Sequence, residues 1–222
     1  MAAVHLSFDN GPHPDVTPFV LDTLAKRGIK ASFFVLGKHL ATEAGRALAR
    51  RTAAEGHRLA NHSYTHEIPL GLDPRPDAVA RELADTQTLL DPLWDGPRWF
   101  RPFGGGGVLG KHLLSPAAVD WLCAQGHTAV LWNSVPGDWL DADGWVDVAL
   151  ADADRLTTDV VVLHDILPDA MRHLPRFLDT LADRGHTFTD HLPAELTPIV
   201  AGQAQPGLAA YVQDPTGATD DR

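Results

Sequence analysis

The sequence predicts an α/β domain of about seven strands, built from repeated βα units around a parallel sheet or barrel. Three observations carry this. Short β-like runs alternate with longer segments of helical periodicity. Four helical segments end on a glycine one step before the next strand, in "AKRGIK", "AAEGHR", "CAQGHT" and "ADRGHT". Polar residues also recur where the β-like runs finish, which in parallel βα architectures gathers them on one face.

Taken in order, strands are expected at Val4 to Phe8, Ala31 to Leu36, Arg58 to Ala60, Trp99 to Arg101, Thr128 to Trp132, Val160 to Leu163 and Thr187 to Thr189. Helices are expected between them at Val16 to Arg27, Ala41 to Glu55, Pro76 to Leu90, Pro116 to Gln125, Gly144 to Ala153 and Ala170 to Arg184. From about Pro193 the pattern fades into Gln, Gly, Pro, Thr and Asp, ending in "DPTGATDDR". The expectation is one domain over residues 1–192 and a loosely packed or disordered tail over 193–222.

At 222 residues and 24.0 kDa the chain buries a full core, and its length suits one large domain better than two. A net charge of -11 and a pI near 5.4 argue against nucleic acid or an anionic membrane surface as partner, since both need clustered Lys and Arg. Cys123 stands alone, which excludes an intrachain disulfide and an all-cysteine zinc site. Met1 runs into the apolar "AVHLSF" with no charged leader segment, and no apolar stretch is long enough for a bilayer, so a cytoplasmic protein is expected.

The chemistry-bearing residues sit at the strand ends. In "HLSFDNGPHP", Asp9 and Asn10 are either an ordinary Asn-Gly turn or the floor of a site. In "HSYTH", His62 and His66 stand at i and i+4, which on a helical turn lets them share one metal ion; the alternative is two solvated loop histidines. Arg101 fits a surface ion pair equally well, and the glycine run 104–107 says little about phosphate without a P-loop lysine. Taken singly, Asp138 reads as a turn cap, Trp139 as core, and the Leu163-His164-Asp165 step as a strand end.

Together and in order, these pieces resemble the polysaccharide deacetylase family, carbohydrate esterase family 4. "SFDNGP" is similar to the family's T-F-D-D-G-P, "NHSYTH" to H-[ST]-x-x-H, "FRPFGG" to F-R-P-P-Y-G, "WNSVPGDW" to W-x-x-D-x-x-D-W, and "VVVLHD" to the closing L-x-H. The resemblance runs from about Val4 to Phe188 and implies a distorted (β/α) barrel that hydrolyses an N-acyl, chiefly N-acetyl, group on an amino sugar or similar small amide. It implies a divalent ion, zinc or cobalt, held by Asn10, His62 and His66. Asp9 then maps onto the general base, Arg101 onto its partner, His164 onto the general acid and Asp138 onto the carboxylate that charges it. Phe103 and Gly104 map onto the oxyanion segment, Trp139 and Leu163 onto the wall around the acyl methyl.

Position 10 departs from the family, which has a carboxylate there. An amide oxygen still ligates a divalent ion but brings no charge, so weaker binding is expected. Metal-independent amide hydrolysis on the same fold and a non-catalytic sugar-binding module are the alternatives. The joint presence of Asp9, Arg101, Asp138 and His164 favours turnover, on a small-molecule or oligosaccharide substrate.

Overall fold

The structure, a computed structural model, describes residues 1–214. In chain order the elements are β1 (Ala3–Asp9), α1 (Thr17–Ala25), β2 (Ser32–Val35), α2 (Gly37–Leu40), α3 (Glu43–Ala54) and β3 (Arg58–Asn61). A π-helical turn (Val79–Ala84) then runs into α4 (Asp85–Leu90), followed by β4 (Trp99–Phe100), α5 (Pro116–Ala124), β5 (Thr128–Ala129), α6 (Trp145–Arg155) and β6 (Thr158–His164). The chain continues with α7 (Pro168–Met171), α8 (Leu174–Asp183), β7 (Thr187–Phe188), β8 (Ile199–Val200) and β9 (Gln203–Ala204).

The strands β6, β1, β2, β3, β4 and β5 lie side by side in parallel, as repeated βα units require. A single bridge from Ser134 to Val161 closes the ring between the chain after β5 and β6. β7 pairs with the first residues of β1 while β2 pairs with its last, so the two share one edge and distort the barrel. The four helix-ending glycines, at 28, 56, 126 and 185, have φ between +65° and +81°. The next N–H in each case bonds back five residues, at 2.9–3.2 Å, and this left-handed cap turns the chain into its strand.

Alternation along the strands sorts the side chains. Val4, Leu6 and Phe8 of β1 pack outward in a core with Val20 and Leu24 of α1, Trp145 of α6 and Phe177 of α8. His5, Ser7 and Asp9 face the barrel interior, where His5 Nε2 meets Ser32 Oγ at 3.1 Å and Ser7 and Asp9 meet Arg101.

All seven expected strands form, several of them shorter than expected. Two helices differ. The segment Pro76 to Leu90 opens with the π turn, and Ala170 to Arg184 divides into α7 and α8, with a proline in the first turn of α8. The tail is corrected over its described part. Residues 194–213 pack on the barrel, with β8 adding antiparallel to β5 and Leu196 and Ile199 buried in the core. Sparse but well-spaced apolar residues suffice to anchor a short segment on an open strand edge. Residues 215–222 lie outside the described residues. Among the described residues no helix is long and apolar enough to cross a membrane.

Ile199 tests the tail's contribution. Ile199→Ala should lower the unfolding free energy by about 2–5 kcal/mol in urea denaturation, the range for emptying a buried aliphatic site. A loosely held tail would change it by less than about 0.5 kcal/mol.

Candidate active site

The C-terminal ends of β1, β3, β4 and β6 and the loop after β5 surround a pocket of about 300 Å³. Asp9, Asn10, His62, His66, Phe103, Gly104, Trp139 and His164 line it, while Arg101 and Asp138 stand behind in contact with Asp9 and His164.

Arg101 Nη1 donates to Asp9 Oδ1 at 2.7 Å and to Ser7 Oγ at 2.8 Å, and Ser7 in turn donates to the carbonyl of Val161 at 2.6 Å. The guanidinium lies 3.9 Å from the centre of the Phe34 ring, and both Asp9 and Arg101 are buried. β1 and β6 pair in a register that sets Asp9 beside His164. His164 Nδ1 bonds Asp138 Oδ1 at 2.8 Å, and its backbone N–H donates to Asp138 Oδ2 at 2.8 Å. Burial alone would lower the His164 pKa. The hydrogen bond and charge of Asp138, joined by the charges of Asp9 and Asp165, outweigh it and leave the imidazole above its ordinary value.

His62 Nδ1 donates to the carbonyl of Arg101 at 2.8 Å, which fixes the tautomer and leaves the Nε2 lone pair facing the pocket, 3.5 Å from Asp9 Oδ2. Burial holds His62 down to about 3; burial and the neighbouring His62 do the same for His66, so both rings are neutral. Their centroids are 4.9 Å apart. Asn10 adopts φ 73°, and its Oδ1 is buried with no hydrogen-bond partner. Two neutral imidazoles and an orphaned amide oxygen fit a divalent ion in donor type, although the set carries no charge. Among the described residues no three His, Cys, Asp or Glu side chains are grouped so as to hold a metal ion.

Two expectations change at this level. His62 and His66 do converge, but from a loop with left-handed residues at Ser63 and His66 rather than from a helical turn. Each such non-glycine residue costs about 1–2 kcal/mol. Leu163 does not line the pocket; it packs outward in the core, and Val162 takes the place beside His164. Strand period explains the difference, since only residues two apart share a face. Reading the closing motif at its true spacing, two residues before the histidine, would have found Val162. Trp132, Val135, Ile166 and Leu167 also line the pocket and were missed, although the motif containing Trp132 was visible. Trp132 Nε1 donates to the Gly107 carbonyl at 2.8 Å, pinning the glycine loop against the pocket.

A barrel of βα units with ionisable side chains gathered at its C-terminal mouth is the architecture of an enzyme active site. Comparison with known proteins makes this specific. The family model described as polysaccharide deacetylase matches residues 2–111. A chitooligosaccharide deacetylase of Rhizobium leguminosarum bv. phaseoli is 35% identical over 169 residues, covering 75% of this chain and 69% of that protein. The peptidoglycan-N-acetylglucosamine deacetylase PgdA of Listeria monocytogenes is 29% identical over 83% of this chain, which spans only 37% of that longer protein. The crystal structure of the Bc1960 peptidoglycan N-acetylglucosamine deacetylase superposes with a TM-score of 0.70 at 27% identity, covering 84% of this chain and 85% of that one. The chain belongs to the polysaccharide deacetylase family, carbohydrate esterase family 4. It is an amide hydrolase of that family, acting on non-peptide C–N bonds.

The His164–Asp138 pair gives a direct test. Asp138→Asn removes the charge that raises the imidazole, so burial then dominates and the His164 pKa should fall, read by titrating its ring protons by NMR. An unchanged midpoint would show that Asp138 does not set it.

Proposed function

We propose that the protein removes the N-acetyl group from an N-acetylated amino sugar, in a short chitooligosaccharide or a peptidoglycan fragment, with the help of a divalent ion held by Asn10, His62 and His66. The carrying observation is the meeting of two pairs at one pocket: Asp9 with Arg101, and His164 with Asp138. Amide hydrolysis needs both a proton acceptor and a proton donor, and these pairs suit the two roles.

When bound, zinc or a similar ion would polarise the acyl oxygen and acidify the attacking water. Asp9 Oδ2, the oxygen not held by Arg101, accepts the proton of that water as it adds to the acyl carbon. A backbone N–H of the Phe103–Gly104 segment, which lines the pocket, would stabilise the developing oxyanion. His164, whose pKa Asp138 raises, gives its proton to the nitrogen as the C–N bond breaks, releasing a carboxylic acid and an amine. Trp139, Val162 and Leu167 supply an apolar wall suited to a small acyl group. Asn10 supports a second reading, hydrolysis without a tightly bound metal, because its amide brings no charge to the set.

The acid–base assignment predicts a bell-shaped dependence of kcat/KM on pH. Its alkaline limb should lie above the ordinary histidine value near 6.5, since His164 is raised. Asp9→Asn and His164→Ala should each lower the rate by about 10²–10⁴ with affinity for the sugar largely kept. Equal rates in parent and variants would refute the roles.

Metal binding is tested separately by calorimetry with zinc. Asn10→Asp should tighten binding by about 1–3 kcal/mol, roughly 5- to 150-fold, the worth of replacing a neutral acceptor by a charged one. Equal affinities would remove Asn10 from the ligand set, and activity in a metal-free parent would favour the second reading.

A further inference from the structure

The loop bearing His62 and His66 has neither a helical nor a sheet ladder, so its buried main-chain groups need other partners. The carbonyls of Ser63, Tyr64 and Thr65 accept from Gly37 N–H at 3.0 Å, Lys38 N–H at 3.2 Å and Lys38 Nζ at 2.9 Å, all at the start of α2. Gly37 must be a glycine for this approach, because a Cβ there would fall 2.3 Å from the Tyr64 ring. The Ser63 N–H donates to Asn61 Oδ1 at 3.0 Å. The N–H groups of Tyr64 and Thr65 donate to a single oxygen, Glu82 Oε2, at 3.0 and 2.8 Å. The Thr65 hydroxyl donates to Glu82 Oε1 at 2.8 Å.

Glu82 is 2% exposed, does not line the pocket, and has its charge met by Arg75 at 3.1 Å, which is itself paired with Asp73. It lies inside the π-helical turn that precedes α4. That wider turn departs from the regular helical ladder, and the adjacent Leu83 carbonyl accepts from Asn61 Nδ2 at 3.1 Å. One irregular turn thus grips the histidine loop twice, through Glu82 and through Asn61.

We infer that Glu82 is a positioning residue for the deacetylase site: its carboxylate holds Tyr64 and Thr65 so that the left-handed turn brings His66 back onto His62. The inference rests on the reading of His62 and His66 as metal ligands. Outer partners of this kind change metal affinity by about 10–100-fold when removed.

The test compares Glu82→Gln, which keeps shape and loses charge, with Glu82→Ala, which loses both. Leu178→Ala, a buried core position on α8, controls for general destabilisation. Amide hydrogen exchange at Tyr64 and Thr65 and zinc affinity against a competing chelator are read where melting curves show each protein folded. Both Glu82 variants should exchange these two amides at least about tenfold faster and bind zinc about 10–100-fold more weakly, with neither change in Leu178→Ala. If Glu82→Ala does not fold, Glu82→Gln decides. Parental exchange and parental zinc affinity in a folded Glu82 variant overturn the inference. A parent that binds no zinc overturns the ligand reading alone, and exchange at Tyr64 and Thr65 then decides the role of Glu82.

Discussion

The buried ion pair between Asp9 and Arg101 is the interaction on which the barrel interior depends. Two charges withdrawn from water cost several kcal/mol each unless geometry and further hydrogen bonds offset the loss. Here the partners come from β1 and β4, which are not neighbours in the sheet, so the pair spans the interior and ties one wall to the other. Ser7 supplies the extra hydrogen bond and Phe34 the aromatic face. The same arginine offers its carbonyl to His62 Nδ1, so one residue orients both the carboxylate of Asp9 and the ring that faces it. Displacing Arg101 would therefore disturb two parts of the site at once.

The site divides into a charged half and a neutral half. Asp9 pairs with Arg101 and His164 with Asp138, each basic group against a carboxyl group. Asn10, His62 and His66 are uncharged, and burial keeps the two rings so. This gathers the ionisable groups of the site into the Asp9–Arg101 and His164–Asp138 pairs. Where a family carboxylate would add negative charge beside Asp9, the amide of Asn10 adds none, which reduces the repulsion that Asp9 would otherwise meet at close quarters.

Much of this was legible in the sequence because parallel βα units deliver strand ends to one mouth, so polar residues recurring after successive β-runs mark a site whatever its chemistry. Asp9, Asn10, His62, Arg101, Asp138 and His164 all carried that signal. The wall beside His164 was misread at Leu163 because a run of four consecutive apolar residues hides the two-residue period that separates core from pocket. Glu82 carried no local signal, since its partners lie 17 and 18 residues away and its reach depends on a π turn that periodicity does not reveal. The packed segment after Pro193 was obscured by polar composition, although two well-placed apolar side chains were enough to seat it.

The closure of the ring between Ser134 and Val161 has a mechanical consequence. The seam holds one bridge, reinforced by the Asn133 side chain, which donates to the Thr158 carbonyl at 2.9 Å and accepts from the Val160 N–H at 2.8 Å; Trp132 and Val135 on one side and Val162 on the other face the pocket. Asn133 thus does at this seam part of the work that a longer strand ladder would do, holding two walls of the pocket together. Groove width and barrel closure are then one coordinate. A bulky ligand entering the pocket would push directly on the clasp that holds the cylinder shut.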